Sequence, residues 1–478
     1  MRTIGNTPVD GEVRAVASGA LANGDTVVVN SDGTVSVVGG TSEGVNSPVV
    51  FESDSTSYPS VVYDSNAGKI VIAYREANAN ALAIVGTISG SAISFGTPVS
   101  FDADAAFIVG AFDSNSNKVV FAYADTDNNN YGTAVVGTVS GTSISFGTPT
   151  VYSSVTSYYN AIAFDSNSNK IVVSYSNYTS SIRGDSVVGT VSGTSISFGG
   201  VVTFNSGNSY MTAATYDENA QKIVIAWRDT SNSSASTAIV GTVSGTTISY
   251  GTKVVASTSY GDNLFLVYDS NAQKVVLVFR DRDTFSEARA VGAVVGTVSG
   301  TSISFGSVVN ASSTRGDFSS ATYNPSSNTV VIAYNDQPTS TAKVVSGTVS
   351  GTSITFTDPI DLDSGDSINA VALGADASGN VVVAFADGGS SSAGTAVIYQ
   401  ADSTNLTAKN YIGIAKGAAA DGTSAVVQTG CSINDAQSGL TAGQDYYVQT
   451  DGTLSETPAD PSVFAGTAVS ATKLIVKG

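Results

Sequence analysis

A string that keeps returning, four short strand-like runs in each interval and the lack of any helical pattern predict an all-β fold. Its form is a seven-bladed β-propeller of four-stranded antiparallel blades. The string is Gly86-Thr87-Ile88-Ser89-Gly90-Ser91-Ala92-Ile93-Ser94-Phe95-Gly96. It comes back with small changes from Gly137, Gly189, Gly241, Gly296 and Gly347, at spacings of 51 to 55 residues. The chain is rich in Gly, Ser, Thr, Val and Asn and poor in Leu, Glu and Lys, which favours strands over helices.

One unit gives the elements in order. Ala161-Ile162-Ala163-Phe164 reads as the first strand, and Asp165-Ser166-Asn167-Ser168-Asn169-Lys170 as a tight polar turn. Ile171-Val172-Val173-Ser174-Tyr175 is the second strand, followed by a variable loop to Asp185. Val187-Val188-Gly189-Thr190-Val191 is the third. Ser192-Gly193 makes a hairpin turn into the fourth, Ser195-Ile196-Ser197-Phe198. An aromatic residue closes the second strand in all seven units: Tyr74, Tyr123, Tyr175, Trp227, Phe279, Tyr334 and Phe385. A large ring at an equivalent site in every unit is core packing between neighbours, and Trp227 belongs to that series.

The seventh unit stops after its third strand, Thr395-Ala396-Val397-Ile398. The segment Gly44-Val45-Asn46-Ser47-Pro48-Val49-Val50-Phe51 resembles the tail of a fourth strand, so an N-terminal strand is expected to close the ring and cover its edge. The two chain ends also match each other. Leu21, Gly24, Val29 and Asp32-Gly33 are spaced as Leu440, Gly443, Val448 and Asp451-Gly452 are. Residues 1–43 and 402–478 are therefore expected to form one small β-rich attachment domain, with the propeller, residues 44–401, inserted in it. The stretch 405–420 carries a pattern compatible with a short helix.

The net charge of -19 with only 12% charged residues disfavours nucleic acid and anionic membranes, which call for clustered Lys and Arg. No apolar run is long enough to span a bilayer, and the N-terminus shows no apolar core of a secretion signal. Cys431 stands alone, so no disulfide or cysteine metal cluster is expected within the chain. There is no histidine, which removes the commonest general base and metal ligand. No cofactor is expected.

Asp64, Asp113, Asp165, Asp217 and Asp269 each open an Asp-x-Asn turn. Such a turn resembles the start of a calcium loop but lacks its downstream carboxylate, so local backbone capping is expected instead. A second acidic series, Glu76, Asp125, Asp229, Asp281, Asp336 and Asp387, follows the second strands. It would form either a ring at the channel mouth or a set of local turn caps. The polar turns barely change between units, whereas the loops on the opposite face differ in every one. Those variable loops carry Tyr131, Tyr158, Tyr159, Tyr178, Arg183, Tyr210, Tyr260, Arg282, Phe285, Arg315 and Phe318, the candidate ligand-binding residues. Tyr among Asn, Ser and Gly builds adaptable binding surfaces. Arg183-Gly184-Asp185 and Arg315-Gly316-Asp317 fall in these loops and read as ordinary turns.

The repeat Tyr268-Asp269-Ser270-Asn271-Ala272-Gln273-Lys274-Val275-Val276 with Gly296-Thr297-Val298-Ser299-Gly300 resembles repeats in tail-fibre-like and other virion proteins of tailed, especially marine, bacteriophages. The segment from Gly439-Leu440 to Ser455, with 461–468, is similar to one such proteins share. The resemblance implies a non-enzymatic virion structural protein, on the tail or capsid surface. Its terminal domain would meet other virion proteins, self-assembly in the particle would be compatible with it, and its variable face would bind a host-surface glycan or protein. A capsid decoration protein is the alternative, and a carbohydrate-active propeller enzyme using the acidic residues a weaker one.

Overall fold

The computed structural model describes residues 11–477 apart from 31, 42, 180, 181, 282–289, 338, 363–367, 402 and 460. The described residues form an all-β protein of antiparallel sheets, none closed on itself, with two single-turn 3-10 segments and no α-helix. The chain divides into two compact units, Gly44–Gln400 and the paired ends Met1–Glu43 with Ala401–Gly478.

Within Gly44–Gln400, strands pair antiparallel with their chain neighbours. In the third repeat Asp165 faces Lys170, Ile171 faces Gly189 and Gly189 faces Phe198. The turns are set by side chains. One carboxylate oxygen of Asp113 accepts from Asn115 N and Ser116 N, both at 3.0 Å, and Asp165 does the same with Asn167 N and Ser168 N. The oxygens that resemble calcium ligands thus serve the backbone of their own turn. The Ser-Gly hairpins need left-handed backbone at Gly141, Gly193 and Gly245, where φ is 61–63°.

The fourth strand has two pieces, which the repeat pattern did not show. In the second repeat Ser143–Phe146 pairs with the far half of Tyr131–Ser140, and Thr150–Asp165 then returns to its near half. In the seventh, Ala393–Gln400 takes both pieces from the N-terminal side, Gly44–Val45 and the start of Val49–Asp64. Three of these connections are unbroken strands of 16 residues: Val49–Asp64, Thr150–Asp165 and Val254–Asp269. The segments 152–160 and 257–263, which carry Tyr158, Tyr159 and Tyr260 of the variable loops expected from the sequence, are therefore strand.

Within Gly44–Gln400, the buried clusters of the described residues are shared by consecutive repeats. Val71, Ala73 and Val85 of the first pack with Phe121, Tyr123 and Val135 of the second. Val172 and Val188 of the third pack with Ile225 and Trp227 of the fourth. Val382, Ala384 and Ile398 of the seventh pack with Ile70, Ile72 and Tyr74 of the first. All seven strand-closing aromatics are at most 1% exposed, so they are core, as their series suggests. Full burial of such a side chain contributes about 1.5–3 kcal/mol.

Backbone contact between repeats explains a repeated glycine. A Cβ at Gly96, Gly147, Gly199, Gly251 or Gly306 would lie 1.8–2.0 Å from the carbonyl oxygen of the hairpin Thr in the next repeat. The sixth repeat has Thr357 at this place, and the seventh repeat, which follows it, has no such hairpin to approach.

The paired ends form two five-stranded sheets with the same topology. One runs Glu12–Val16, Ser424–Gln428, Tyr411–Ala415, Thr26–Val29, Val35–Val37. The other runs Ile433–Asn434, Lys473–Val476, Val463–Ser470, Asp445–Val448, Leu454–Ser455. In chain order both read first, fifth, fourth, second, third. Asp32 and Asp451 make identical contacts, accepting from the N and Oγ1 of Thr34 and Thr453 at 2.9 and 2.7 Å, and those bonds hold both carboxyls below their ordinary pKa. Gly413 and Gly466 lie at matching places, where a Cβ would meet the carbonyl of Gln428 or Ile475. The unit is thus a tandem duplication, with the repeats inserted between the third and fourth strands of its first copy. Residues 411–415, inside the stretch compatible with a helix, are strand because they complete that copy's sheet.

Neighbouring glycines test the contact between repeats. Gly199→Ala is expected to cost about 1–3 kcal/mol through overpacking. Gly200→Ala, where nothing lies within 4 Å, is expected to stay within about 0.5 kcal/mol. Urea melts of the two variants give the comparison.

Candidate functional site

The first strands of the repeats touch one another in succession, and that of the seventh touches that of the first. In every repeat the first strand slips register against the second at the same place. Such a bulge re-aims a side chain. The residues so placed are Tyr58, Phe107, Tyr159, Met211, Asn263 and Phe318, all with φ of 48–54°. Ala370 holds the equivalent position in the seventh repeat. Asn tolerates a left-handed backbone, but bulky Tyr, Phe and Met do so only under strain of about 1–3 kcal/mol each. All seven residues line one cavity of about 500 Å³.

An aromatic tract extends from this cavity. Phe107 lies 5.1 Å from Tyr58, 5.0 Å from Tyr158 and 4.9 Å from Tyr159, centroid to centroid. Tyr178 lies 4.9 Å from Tyr158 and 5.8 Å from Tyr210. The guanidinium of Arg228 sits 5.1 Å from the centroids of both Tyr210 and Tyr260. These rings are half-buried. Burial raises the Tyr58 and Tyr178 phenols above their ordinary pKa, so both remain protonated hydrogen-bond donors.

A chain of ion pairs underlies the tract. Arg228 Nη1 donates to Asp262 Oδ1 at 2.9 Å, Arg280 bridges Asp262 and Asp317, and Arg315 pairs with Asp317 at 2.8 Å. The Arg228, Asp262, Arg280 and Asp317 side chains are all under 15% exposed. Two of these pairs, and a third between Arg75 and Asp104, link neighbours by one rule. The Arg that follows the closing aromatic of a second strand (Arg75, Arg228, Arg280) meets an Asp from the next repeat (Asp104, Asp262, Asp317).

Of the residues expected from the sequence, Tyr158, Tyr159, Tyr178 and Tyr210 come together in the tract, Tyr260 joins them through Arg228, and Phe318 joins through the cavity. Tyr131 begins the strand Tyr131–Ser140, opposite Thr156, with no ring partner shown. Arg183 turns back on Asp185 at 3.0 Å. Neither Arg-Gly-Asp tripeptide is a turn. The first lies within the strand Ile182–Ser192, and the second enters the strand Gly316–Asn324. Arg282 and Phe285 lie outside the described residues.

Four of the strand-end carboxylates cap or brace their own turns. Asp125, Asp229 and Asp387 accept from the backbone N of Asn128, Ser231 and Gly389, and Asp336 accepts from the hydroxyls of Thr314 and Thr339. Asp229 also pairs with Lys253 at 2.9 Å. Glu76 accepts from Asn80 and lies near Glu52 and Asp54. Asp281 ends the strand Lys274–Asp281 opposite Gly261.

Tyr58, Phe107, Met211 and Arg228 were missed by sequence reading. A signal existed for the first three: each stands six residues before the Asp of the polar turn, as Tyr159 does. At the other end of the first strands, Phe164, Tyr216, Tyr268 and Tyr323 line a second cavity of about 500 Å³. Two of them brace the scaffold: the Tyr268 and Tyr323 hydroxyls accept from the backbone N of Asn219 and Asn271, in the polar turn of the preceding repeat.

The site is thus an aromatic, guanidinium-braced rim over an apolar hollow, on an all-β repeat scaffold. No family model and no curated protein matches the chain. Among solved structures it is similar to the BP39L lectin from Burkholderia pseudomallei, with 11% identity over 72% of this chain and 98% of the lectin and a TM-score of 0.51. That likeness is one of fold. More distant are the SapL1 lectin in complex with α-methyl fucoside (12% identity, 74% and 97% covered, TM-score 0.40) and a leech intramolecular trans-sialidase (10% identity, 74% and 68% covered, TM-score 0.43).

Arg280 pairs with two buried carboxylates and Arg228 with one, and each carboxylate keeps another arginine when either is removed. Arg280→Met is therefore expected to cost more than Arg228→Met, with both below the about 3–5 kcal/mol of a stranded buried charge, read from urea unfolding midpoints.

Proposed function

We propose that Gly44–Gln400 is a seven-bladed β-propeller, latched by its N-terminal strands, and a non-enzymatic carbohydrate-binding module. The ring is supported by the core shared between the seventh and first repeats and by the pairing of Ala393–Gln400 with Gly44–Val45 and Val49–Asp64. Sugar binding is supported above all by the tract Phe107, Tyr158, Tyr178, Tyr210. Half-buried rings offer flat apolar faces to the C–H groups of a sugar, and their hydroxyls add donors beside them. Similarity in fold to a lectin is in keeping with this reading. The nearby carboxylates of Asp262 and Asp317 are held by arginines, which suits positioning better than proton transfer.

The resemblance of the repeats to tail-fibre-like proteins extends the proposal. The glycan would belong to a host cell surface, and the duplicated terminal unit would attach to other virion proteins.

Glycan-array binding tests the core of it. The protein is expected to retain a defined set of glycans without releasing reducing sugar. Tyr178→Ala is expected to weaken binding about tenfold, the loss of one stacking contact with its hydrogen bond, with the melting temperature little changed. Absence of any retained glycan, or turnover of one, would defeat it. Deleting residues 44–51 tests the latch separately, and a large drop in the cooperative thermal transition is expected.

A further inference from the structure

We propose that the hollow among the first strands is itself a binding site, for a small apolar molecule carrying one hydrogen-bonding group, such as an aromatic or short-chain alcohol. Its volume of about 500 Å³ is within the range of about 300–1,000 Å³ typical of small-ligand pockets. Tyr58, Phe107, Tyr159, Met211, Asn263 and Phe318 converge on it. A scaffold under pressure only to be stable would place Gly or Asn at left-handed bulges. Here five of the six carry bulky side chains at φ of 50–54° or, for Phe318, 48°. The strain recurs in repeat after repeat at the cavity wall, the usual place for conformations held for function.

A second observation is independent of the rings. In two repeats the residue after the bulge bridges to the preceding repeat. Asn160 Nδ2 donates to the carbonyl of Phe107 at 3.3 Å, and the Thr212 hydroxyl donates to the carbonyl of Tyr159. Ser319 occupies the same position, is 3% exposed and lines the cavity, yet its hydroxyl has no hydrogen-bond partner. Such a buried orphan costs about 1–3 kcal/mol. The oxygen is closed off from the hollow in this rotamer; a χ1 rotation would bring it to a ligand hydroxyl there, while the rings and Met211 take the apolar body. The inference does not rest on sugar binding, since the ligand needs no sugar.

The experiment uses the full chain and two probes of nearly equal shape, p-cresol and toluene, titrated by calorimetry. Saturable binding of both is expected, with p-cresol about three- to tenfold tighter, the increment of one hydrogen bond. Ser319→Ala is expected to abolish that preference and leave toluene binding unchanged. Asn263→Phe fills the hollow with a side chain that the same backbone already carries at Phe107 and Phe318. It is expected to weaken both probes at least about tenfold with the thermal melt preserved. No saturable binding up to about 5 mM, or binding indifferent to Asn263→Phe, would overturn the site. A p-cresol preference that survives Ser319→Ala would overturn the anchor. Glycan retention measured on the same Asn263→Phe protein separates this result from the fate of the sugar-binding proposal.

Discussion

A four-stranded antiparallel unit has two apolar faces and cannot cover either by itself, and this constraint governs the structure of Gly44–Gln400. Tyr123 and Phe121 are buried because Val71 and Val85 of the preceding repeat lie against them. The same need explains why backbones approach so closely that Gly199 has no room for a methyl group beside Thr246. It also explains why the first repeat draws on the seventh: Ile70 and Ile72 lack apolar cover until Val382 and Ile398 supply it. Buried area between repeats provides most of the stabilisation, and the ion pairs from Arg228 and Arg280 to the following repeat add orientation where the charges are shielded from water.

Within this scaffold, regularity and irregularity divide the work. The polar turns are repeated because their Asp oxygens and Tyr hydroxyls hold local backbone and the turn before. In six repeats the bulge keeps one left-handed backbone and varies in side chain, from Tyr and Phe through Met to Asn. One geometry thus presents different chemistry at those positions around a common hollow. The rim tyrosines are fixed by packing against one another, so their presentation to solvent is set before any ligand arrives.

Strand positions, the buried aromatic series and the polar turns were legible in the sequence because each rests on local periodicity or turn chemistry. The bulges were not. Two residues such as Tyr159-Asn160 stand opposite one, Tyr175, and this single extra residue breaks the alternation, so the segment reads as a variable loop when it is part of a 16-residue strand. Arg183-Gly184-Asp185 misled for a related reason: small and charged residues signal a turn, but Gly184 sits in a strand because the ring of Phe204 needs the space. The tyrosines were visible as a composition, yet their grouping depends on cross-repeat distances that no single repeat encodes. The Arg and Asp partners from 228 to 317 carried a readable rule, an Arg after the closing aromatic and an Asp in the repeat after it, which becomes meaningful once neighbours are known.

The duplicated terminal unit has a consequence for the order of events during synthesis. Its first copy is split, with Val35–Val37 made early and Tyr411–Ala415 more than 350 residues later. Its second copy is contiguous from Ile433 to Val476. At ribosomal speeds of about 5–20 residues per second, the early half waits tens of seconds for its complement. Its Val27 and Val28 strand meanwhile lacks the neighbour that will cover it. The contiguous twin has no such delay, so two sheets of the same topology emerge with opposite contact order: one assembles late across a long loop, the other promptly and locally.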